Sequence, residues 1–158
     1  TPALLKGLIF GPTGVAMSPA YTRRKGKQYR YYVSTDVLKR NPTACPVRRV
    51  PAAEIENAVI DQLRGLLRAP EIVVRTWRAA RQSTEKVSEA EVREALERLD
   101  PLWDELFPAE QVRIVQLLVE RIDVHLDRLD VRLRTAGLTK LVGELLSPSD
   151  SDHSRRAA

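Results

Sequence analysis

The chain has 158 residues, of which 43% are hydrophobic, 5% aromatic and 30% charged, with a formal net charge of +5. This length suits one ordinary domain or two small ones, with a core built mostly of Leu, Val, Ile and Ala. No apolar run approaches the ~20 residues of a membrane-spanning helix. The single cysteine, Cys45, excludes an internal disulfide and fits a reducing compartment.

Positive charge is concentrated in the first third of the chain. Residues 1–50 hold ten basic residues and one acid, Asp36, for a net charge of +9, so the remainder carries −4. A basic segment joined to a mildly acidic one indicates two roles, one of which is the binding of a polyanion. The chain opens on Thr1 with neither an initiator Met nor a basic leader, which suggests an excised fragment or an N-terminus that has lost a segment.

The first fifty residues read as a small antiparallel β-ribbon. The predicted strands are Leu4–Phe10, Val15–Thr22 and Gln28–Ser34. Pro19 argues that the second strand lies at a sheet edge or carries a bulge, because proline cannot donate a ladder hydrogen bond. Lys25-Gly26-Lys27 predicts a tight hairpin turn, since glycine supplies the positive φ that such a turn needs. Residues 36–46 read as a loop or one irregular helical turn.

The predicted hairpin holds all four tyrosines and a dense cluster of cations. Alternation along its second strand puts Tyr29 and Tyr31 on one side and Tyr32 on the other. Lysine and arginine neutralise phosphates, and tyrosine rings pack on sugars or bases, so the stretch predicts nucleic-acid contact. A solvated hairpin whose tyrosines belong to the core fits this stretch equally well. The candidate DNA-binding residues are Arg23, Arg24, Lys25, Lys27, Tyr29, Arg30, Tyr31, Arg48 and Arg49.

The middle of the chain, residues 51–122, is predicted to be helical. Apolar residues recur at helical spacing from Ile55 to Leu67. The helix boundaries are marked by Pro51, by Pro70, by a Ser88–Glu91 capping box and by Pro108. Arg48 and Arg49 lead into the first helix, where they either hold a phosphate with the free backbone N–H groups or form a solvated pair.

At Ile122 the apolar period changes from helical to alternating, which predicts a hairpin turning around Asp127–Asp130. Residues from Leu138 to Leu146 form a last short helix. The sequence therefore predicts an α+β fold in four segments. These are a β-ribbon subdomain over 1–50, a helical region over 51–122, a closing β-hairpin and helix over 123–146, and a disordered polar tail over 147–158.

A set of motifs occurs in a distinctive order along the chain. They are Gly7-Leu8-Ile9, Gly14 with Met17, Lys25-Gly26, Tyr29-Arg30-Tyr31-Tyr32, Cys45-Pro46, Val50–Glu56, Leu102–Leu106, Glu110–Val115 and Val119–Val124. Their order resembles the recombinase zinc β-ribbon and flanking helices in the C-terminal half of long serine site-specific recombinases, of the resolvase/invertase superfamily. The resemblance covers nearly all of residues 4–146.

This resemblance implies a bacterial, cytoplasmic and nucleoid-associated protein of DNA recombination and integration, encoded by a mobile genetic element. Its partners would be double-stranded DNA and other recombinase subunits, with no membrane and no small-molecule substrate. The family's catalytic serine lies in an N-terminal domain that this sequence lacks, so we predict no catalytic residue here. The chain would grip DNA while the absent domain exchanges strands through a phosphoserine–DNA intermediate.

The sequence departs from the family at its metal ligands. Members with a true zinc ribbon carry two cysteine pairs, whereas Thr13 and Ser34 stand where two of those cysteines are expected and only Cys45 matches. Structural zinc needs four ligands, usually thiolate or imidazole. We therefore predict a metal-free ribbon without a cofactor, held by hairpin pairing and by packing against the helices.

Two other readings stay open. In the first, the helices form a protein-interaction or self-association module without direct nucleic-acid contact, although Pro70 and Pro101 interrupt any sustained heptad. In the second, the tyrosines stack on the bases of RNA or single-stranded DNA.

Overall fold

The computed structural model describes residues 2–35, 47–83 and 86–147, and these ranges confirm the predicted α+β class. The predicted loop at 36–46, which contains Cys45, and the predicted tail beyond residue 147 lie outside the described residues. The elements in chain order are β1 (Ile9–Phe10), β2 (Met17–Arg24), β3 (Lys27–Ser34), β4 (Arg49–Pro51), α1 (Ala52–Arg68), α2 (Pro70–Ser83), α3 (Glu89–Trp103), α4 (Pro108–Leu118), β5 (Val119–Val124), β6 (Leu129–Leu133) and α5 (Thr135–Leu146).

The predicted hairpin is confirmed as β2 and β3, joined by a two-residue turn. Lys25 and Gly26 both have positive φ angles, +52° and +78°, as a type I′ turn requires. The antiparallel register runs from Arg24 opposite Lys27 at the turn to Met17 opposite Ser34 at the base. Pro19 lies on β2, which is an edge strand of this sheet, as its missing N–H predicts.

A third strand joins the hairpin where the sequence predicted only a lead into the first helix. Residues of β4 pair with β3, with Arg49 opposite Val33 and Pro51 opposite Tyr31. Pro51 thus ends a strand and also occupies the position just before the first residue of α1, where its side chain forms no capping hydrogen bond. The prediction missed β4 because three residues are too few to show an alternating period.

The helix signals in the sequence are largely confirmed. Ser88 accepts a hydrogen bond from the Glu91 backbone N–H, and the Glu91 carboxylate accepts one from the Ser88 N–H, which completes the predicted capping box. Pro108 begins α4 as expected. Pro101 lies inside α3, two residues before that helix ends. None of the helices in the described ranges is long and apolar enough to cross a membrane.

A second sheet, in the order β1-β5-β6, connects the two ends of the chain. β1 runs parallel to β5, with Ile9 opposite Ile122. The sequence predicted a strand from Leu4 to Phe10, but only Ile9 and Phe10 are extended, because turns around Gly7 bury Leu5 and Leu8 instead. The closing hairpin is confirmed, although β5 begins at Val119 rather than at Ile122.

One hydrophobic core lies under both sheets and the helices. It is made chiefly of aliphatic residues, with Met17, Tyr32 and Trp103 as its larger members. Tyr32 is 1% exposed and Met17 is 2% exposed. Since both belong to the basic hairpin, one end of that hairpin is anchored in the core while the other end is free to project.

Candidate nucleic-acid interface

The register of the hairpin decides which side chains share a surface, because residues opposite each other on paired strands lie on the same face. One face, here called the outer face, brings together Arg24, Lys27, Tyr29, Tyr31 and Arg49. The opposite face carries Tyr32 and Met17, which are buried against the core. The outer face therefore gathers five of the predicted DNA-binding residues.

The part of the hairpin farthest from the core is exposed throughout. Every residue from Tyr21 to Tyr29, here called the hairpin tip, is exposed, and Tyr29 itself is 41% exposed. The tip carries four cations: Arg23, Arg24, Lys25 and Lys27. Within the described ranges none of these cations forms an ion pair. Their charges are thus available to an external anion.

Arg49 reaches the outer face from β4. Its guanidinium carbon lies 4.6 Å from the centroid of the Tyr31 ring, a cation–π contact worth about 0.5–1 kcal/mol at an exposed site. This contact holds the charge of Arg49 beside the tyrosines. Arg48 is also exposed, and its backbone carbonyl accepts a hydrogen bond from the Ser34 N–H at 2.9 Å.

Arg30, another predicted DNA-binding residue, is paired within the chain. Its Nη2 atom donates to both carboxylate oxygens of Glu56, at 2.6 and 3.0 Å. The two side chains are only 24% and 13% exposed. This pairing turns the guanidinium toward α1, so Arg30 fastens the hairpin to the helix.

Glu56 was missed as a site residue, although the sequence carries a signal for it. Ala52, Val59 and Leu63 belong to the buried stripe of α1. Residue 56 lies four residues after Ala52 and three before Val59, so it falls on the same face of the helix. A carboxylate in a core-facing position needs a partner, because an unpaired buried charge is strongly unfavourable. That partner is Arg30, which lies 26 residues earlier in the sequence.

Tyr32 extends this polar cluster to the N-terminal segment. Its hydroxyl accepts a hydrogen bond from the Leu5 N–H at 3.0 Å and donates to Glu56 Oε1 at 3.2 Å. Burial of the hydroxyl raises the pKa of Tyr32 well above its ordinary value, and the Glu56 carboxylate raises this pKa further. The Leu5 hydrogen bond and the Arg30 charge act in the opposite direction.

The raised pKa of Tyr32 predicts a loss of stability at alkaline pH. The folded protein keeps a phenol proton that the unfolded chain releases above about pH 10, so this contribution is complete below pH 10 and is lost as the pH rises further. We expect the free energy of unfolding to fall by up to about 1.4 kcal/mol per pH unit above pH 10. Urea denaturation across this range should show a shallower decline for Tyr32→Phe, and an equal decline would contradict the assignment.

The residues do not fit the zinc ion that the family resemblance implies. The chain has one cysteine in total, Thr13 is exposed, and Ser34 is fully buried with no hydrogen-bond partner for its Oγ atom among the described residues. The described residues also hold no group of three His, Cys, Asp or Glu side chains placed to share a metal. A tetrahedral site of thiolates and imidazoles cannot be assembled from this set.

Comparison with known proteins finds a similarity in the first part of the chain. Residues 4–64 match the model of the recombinase zinc beta ribbon domain. A solved structure described as "Crystal Structure of a LSR-DNA Complex" is similar in fold, with a TM-score of 0.53 and 14% sequence identity. Another, from "Sequence Requirements of the Listeria innocua prophage attP site", has a TM-score of 0.47 and 15% identity. No curated protein matches the chain.

Each of these two structures is matched over 83% of this chain, but this chain spans only 55% of the first and 42% of the second. The likeness to the first structure therefore concerns the fold alone, over about half of that structure's length. The predicted resemblance to the recombinase zinc ribbon is confirmed in the segment that the family model covers. The matched residues, 4–64, include the whole basic hairpin, so this part of the chain is similar to the recombinase zinc beta ribbon domain.

Proposed function

We propose that this chain is a DNA-binding module of a serine site-specific recombinase, corresponding to part of the C-terminal half of that enzyme. The observation that carries the proposal is the exposed hairpin tip, on which four cations lie without a carboxylate partner in the described ranges. The match of residues 4–64 to the recombinase family supports the same conclusion.

The shape of the hairpin favours duplex DNA over a single strand. The exposed part of β2, from Tyr21 to Arg24, is about 13 Å long at ~3.3 Å per residue. The major groove of B-DNA is about 8.5 Å deep and admits a two-stranded β-ribbon. The tip can therefore enter the groove with its cations at the flanking phosphates, while Tyr29 and Tyr31 contact the backbone from the outer face.

Strand cleavage belongs to a different part of the proposed enzyme. Ser34 is a serine within the ribbon, but it is fully buried and cannot reach a phosphodiester. The chain's own contribution is thus positional: the core anchors the base of the hairpin, and the Arg30–Glu56 pair fixes its orientation on α1. Such rigid mounting places the cations before DNA arrives, which reduces the entropy lost on binding.

A second candidate function is self-association through the helices. Phe107 is 74% exposed and Leu102 is 37% exposed, where α3 leads into α4. Exposed apolar side chains of this size mark protein contacts when they form a contiguous patch. Light scattering separates the two functions, because a stable dimer that lacks DNA affinity would favour self-association.

The salt dependence of duplex binding tests the proposed function. We expect the chain to bind a fluorescent duplex of about 20 base pairs, with about six phosphate contacts and a loss on the order of a thousandfold in affinity between 50 and 200 mM salt. Fluorescence anisotropy measures this directly. Weak binding that is insensitive to salt would contradict the proposal, and preferential competition by a single-stranded oligonucleotide would favour stacking on unpaired bases.

A further inference from the structure

A second basic surface lies on α2, away from the hairpin. The buried stripe of this helix consists of Ile72, Val73, Thr76 and Ala80. At about 100° per residue, Arg78 falls opposite the centre of that stripe, and Arg75 and Arg81 lie about 60° to either side. All three side chains are exposed. They form a continuous row on the solvent side of the helix, here called the α2 arginine row.

The charge of this row is not balanced by its surroundings. Glu71 is the one acidic residue in α2, and none of the three arginines forms an ion pair within the described residues. Like charges three residues apart on a helix repel each other by about 0.2–0.5 kcal/mol. By contrast, Arg64 on α1 pairs with Asp100 of α3 and with Asp104, which directly follows that helix. The row therefore retains its positive charge in a region of the chain that is acidic overall.

One member of the row is held in place. The guanidinium carbon of Arg81 lies 4.7 Å from the centroid of the Trp77 ring. The indole Nε1 of Trp77 donates to the Val87 carbonyl at 2.9 Å, which fixes the ring. A guanidinium stacked on an immobile ring loses less side-chain entropy when it meets an anion, and its planar donors suit phosphate.

We propose that the α2 arginine row binds the phosphate backbone of DNA beyond the stretch that the hairpin contacts. This inference rests on the proposed function and extends it. The hairpin packs at the beginning of α1, through Glu56 and Pro51, whereas α2 starts at the end of that helix. The 17 residues of α1 span about 25 Å, or roughly seven base pairs at 3.4 Å each. A duplex of six base pairs, about 20 Å long, is therefore too short to contact the hairpin and the row together.

Duplex length provides the test. Affinities for a six-base-pair stem closed by a short loop and for a duplex of 30 base pairs would be measured by anisotropy for the wild-type chain, for Arg75→Gln/Arg78→Gln, and for a control, Arg93→Gln/Arg98→Gln. The control arginines are exposed residues of α3 and change the net charge equally. We expect the α2 variant to lose roughly sixtyfold in affinity for the long duplex at about 0.1 M salt, from two lost phosphate contacts, and to bind the short one normally.

The outcomes separate this inference from the proposed function. If the α2 variant binds both duplexes as tightly as the wild type does, the row does not contact DNA and the inference is wrong, while hairpin binding stands. An equal loss for the control variant would likewise overturn it, because a general effect of net charge would then explain the result. If the wild-type chain binds neither duplex, the proposed function fails and this inference fails with it.

Discussion

Removing the charge of the hairpin tip should weaken duplex binding by roughly a thousandfold or more at about 0.1 M salt. The variant is Arg23→Gln, Arg24→Gln, Lys25→Asn and Lys27→Gln. Each lost phosphate contact lowers the slope of log affinity against log salt by about 0.9, so four lost contacts lower it by about 3.6. The expected change in affinity follows from that slope, and anisotropy titrations at several salt concentrations measure both quantities.

These substitutions are chosen to leave the hairpin folded. Lys25 has a φ of +52°, and asparagine followed by glycine is a favoured pair in a type I′ turn. A control with Lys6, Arg93, Arg98 and Lys140 changed to Gln has the same net charge, and these residues are exposed outside the hairpin. Equal affinity losses in the two variants would show that binding responds to overall charge, and the hairpin would lose its proposed role.

Replacing Gly137 with alanine should destabilise the protein by about 3 kcal/mol or more, at the upper end of the range for overpacked sites. Gly137 lies in the first turns of α5, directly against the end of α4. A Cβ atom on residue 137 would lie 1.8 Å from the backbone oxygen of Leu117 and 2.7 Å from its carbonyl carbon. Because the obstacle is backbone rather than a flexible side chain, the two helices must separate to relieve the clash.

The same helix supplies the control for this prediction. A Cβ atom on residue 143 would enter open space, with no atom within 4 Å, so Gly143→Ala should stabilise the helix by up to about 1 kcal/mol. Urea denaturation followed by circular dichroism would compare both variants with the wild type. Unchanged stability of Gly137→Ala would mean that α4 and α5 are not packed as closely as described.

The close approach at Gly137 is part of a tight junction between α4, β5 and α5. The Arg134 N–H donates to the Leu118 carbonyl at 2.7 Å, and Arg134 Nε donates to the Val119 carbonyl at 3.2 Å. These bonds draw the start of α5 onto the point where α4 becomes β5. Only glycine leaves room for that contact, which explains its presence within a helix that it otherwise weakens.

The short-range signals in the sequence by themselves determined several elements. Lys25-Gly26 specified the turn, and Ser88 with Glu91 specified a helix start. The alternating residues after Ile122 specified the closing hairpin, and Pro19 limited its own strand to an edge or a bulge, of which the structure shows the edge. Each signal acts within a few residues, through φ preferences or local hydrogen bonds, so its outcome does not depend on the rest of the fold. The cations and tyrosines of the candidate interface were identified from the same local pattern.

Only the tertiary structure decided which of those residues face outward. Arg30 and Tyr32 belong to the same motif as Tyr29 and Tyr31, but a carboxylate on α1 binds them both and holds them against the helix. The parallel pairing of β1 with β5 and the fit of Gly137 against α4 were equally invisible in the sequence. Such features depend on groups that are distant along the chain and come into contact only when the core forms. Contacts of this kind leave no periodic pattern in the local sequence.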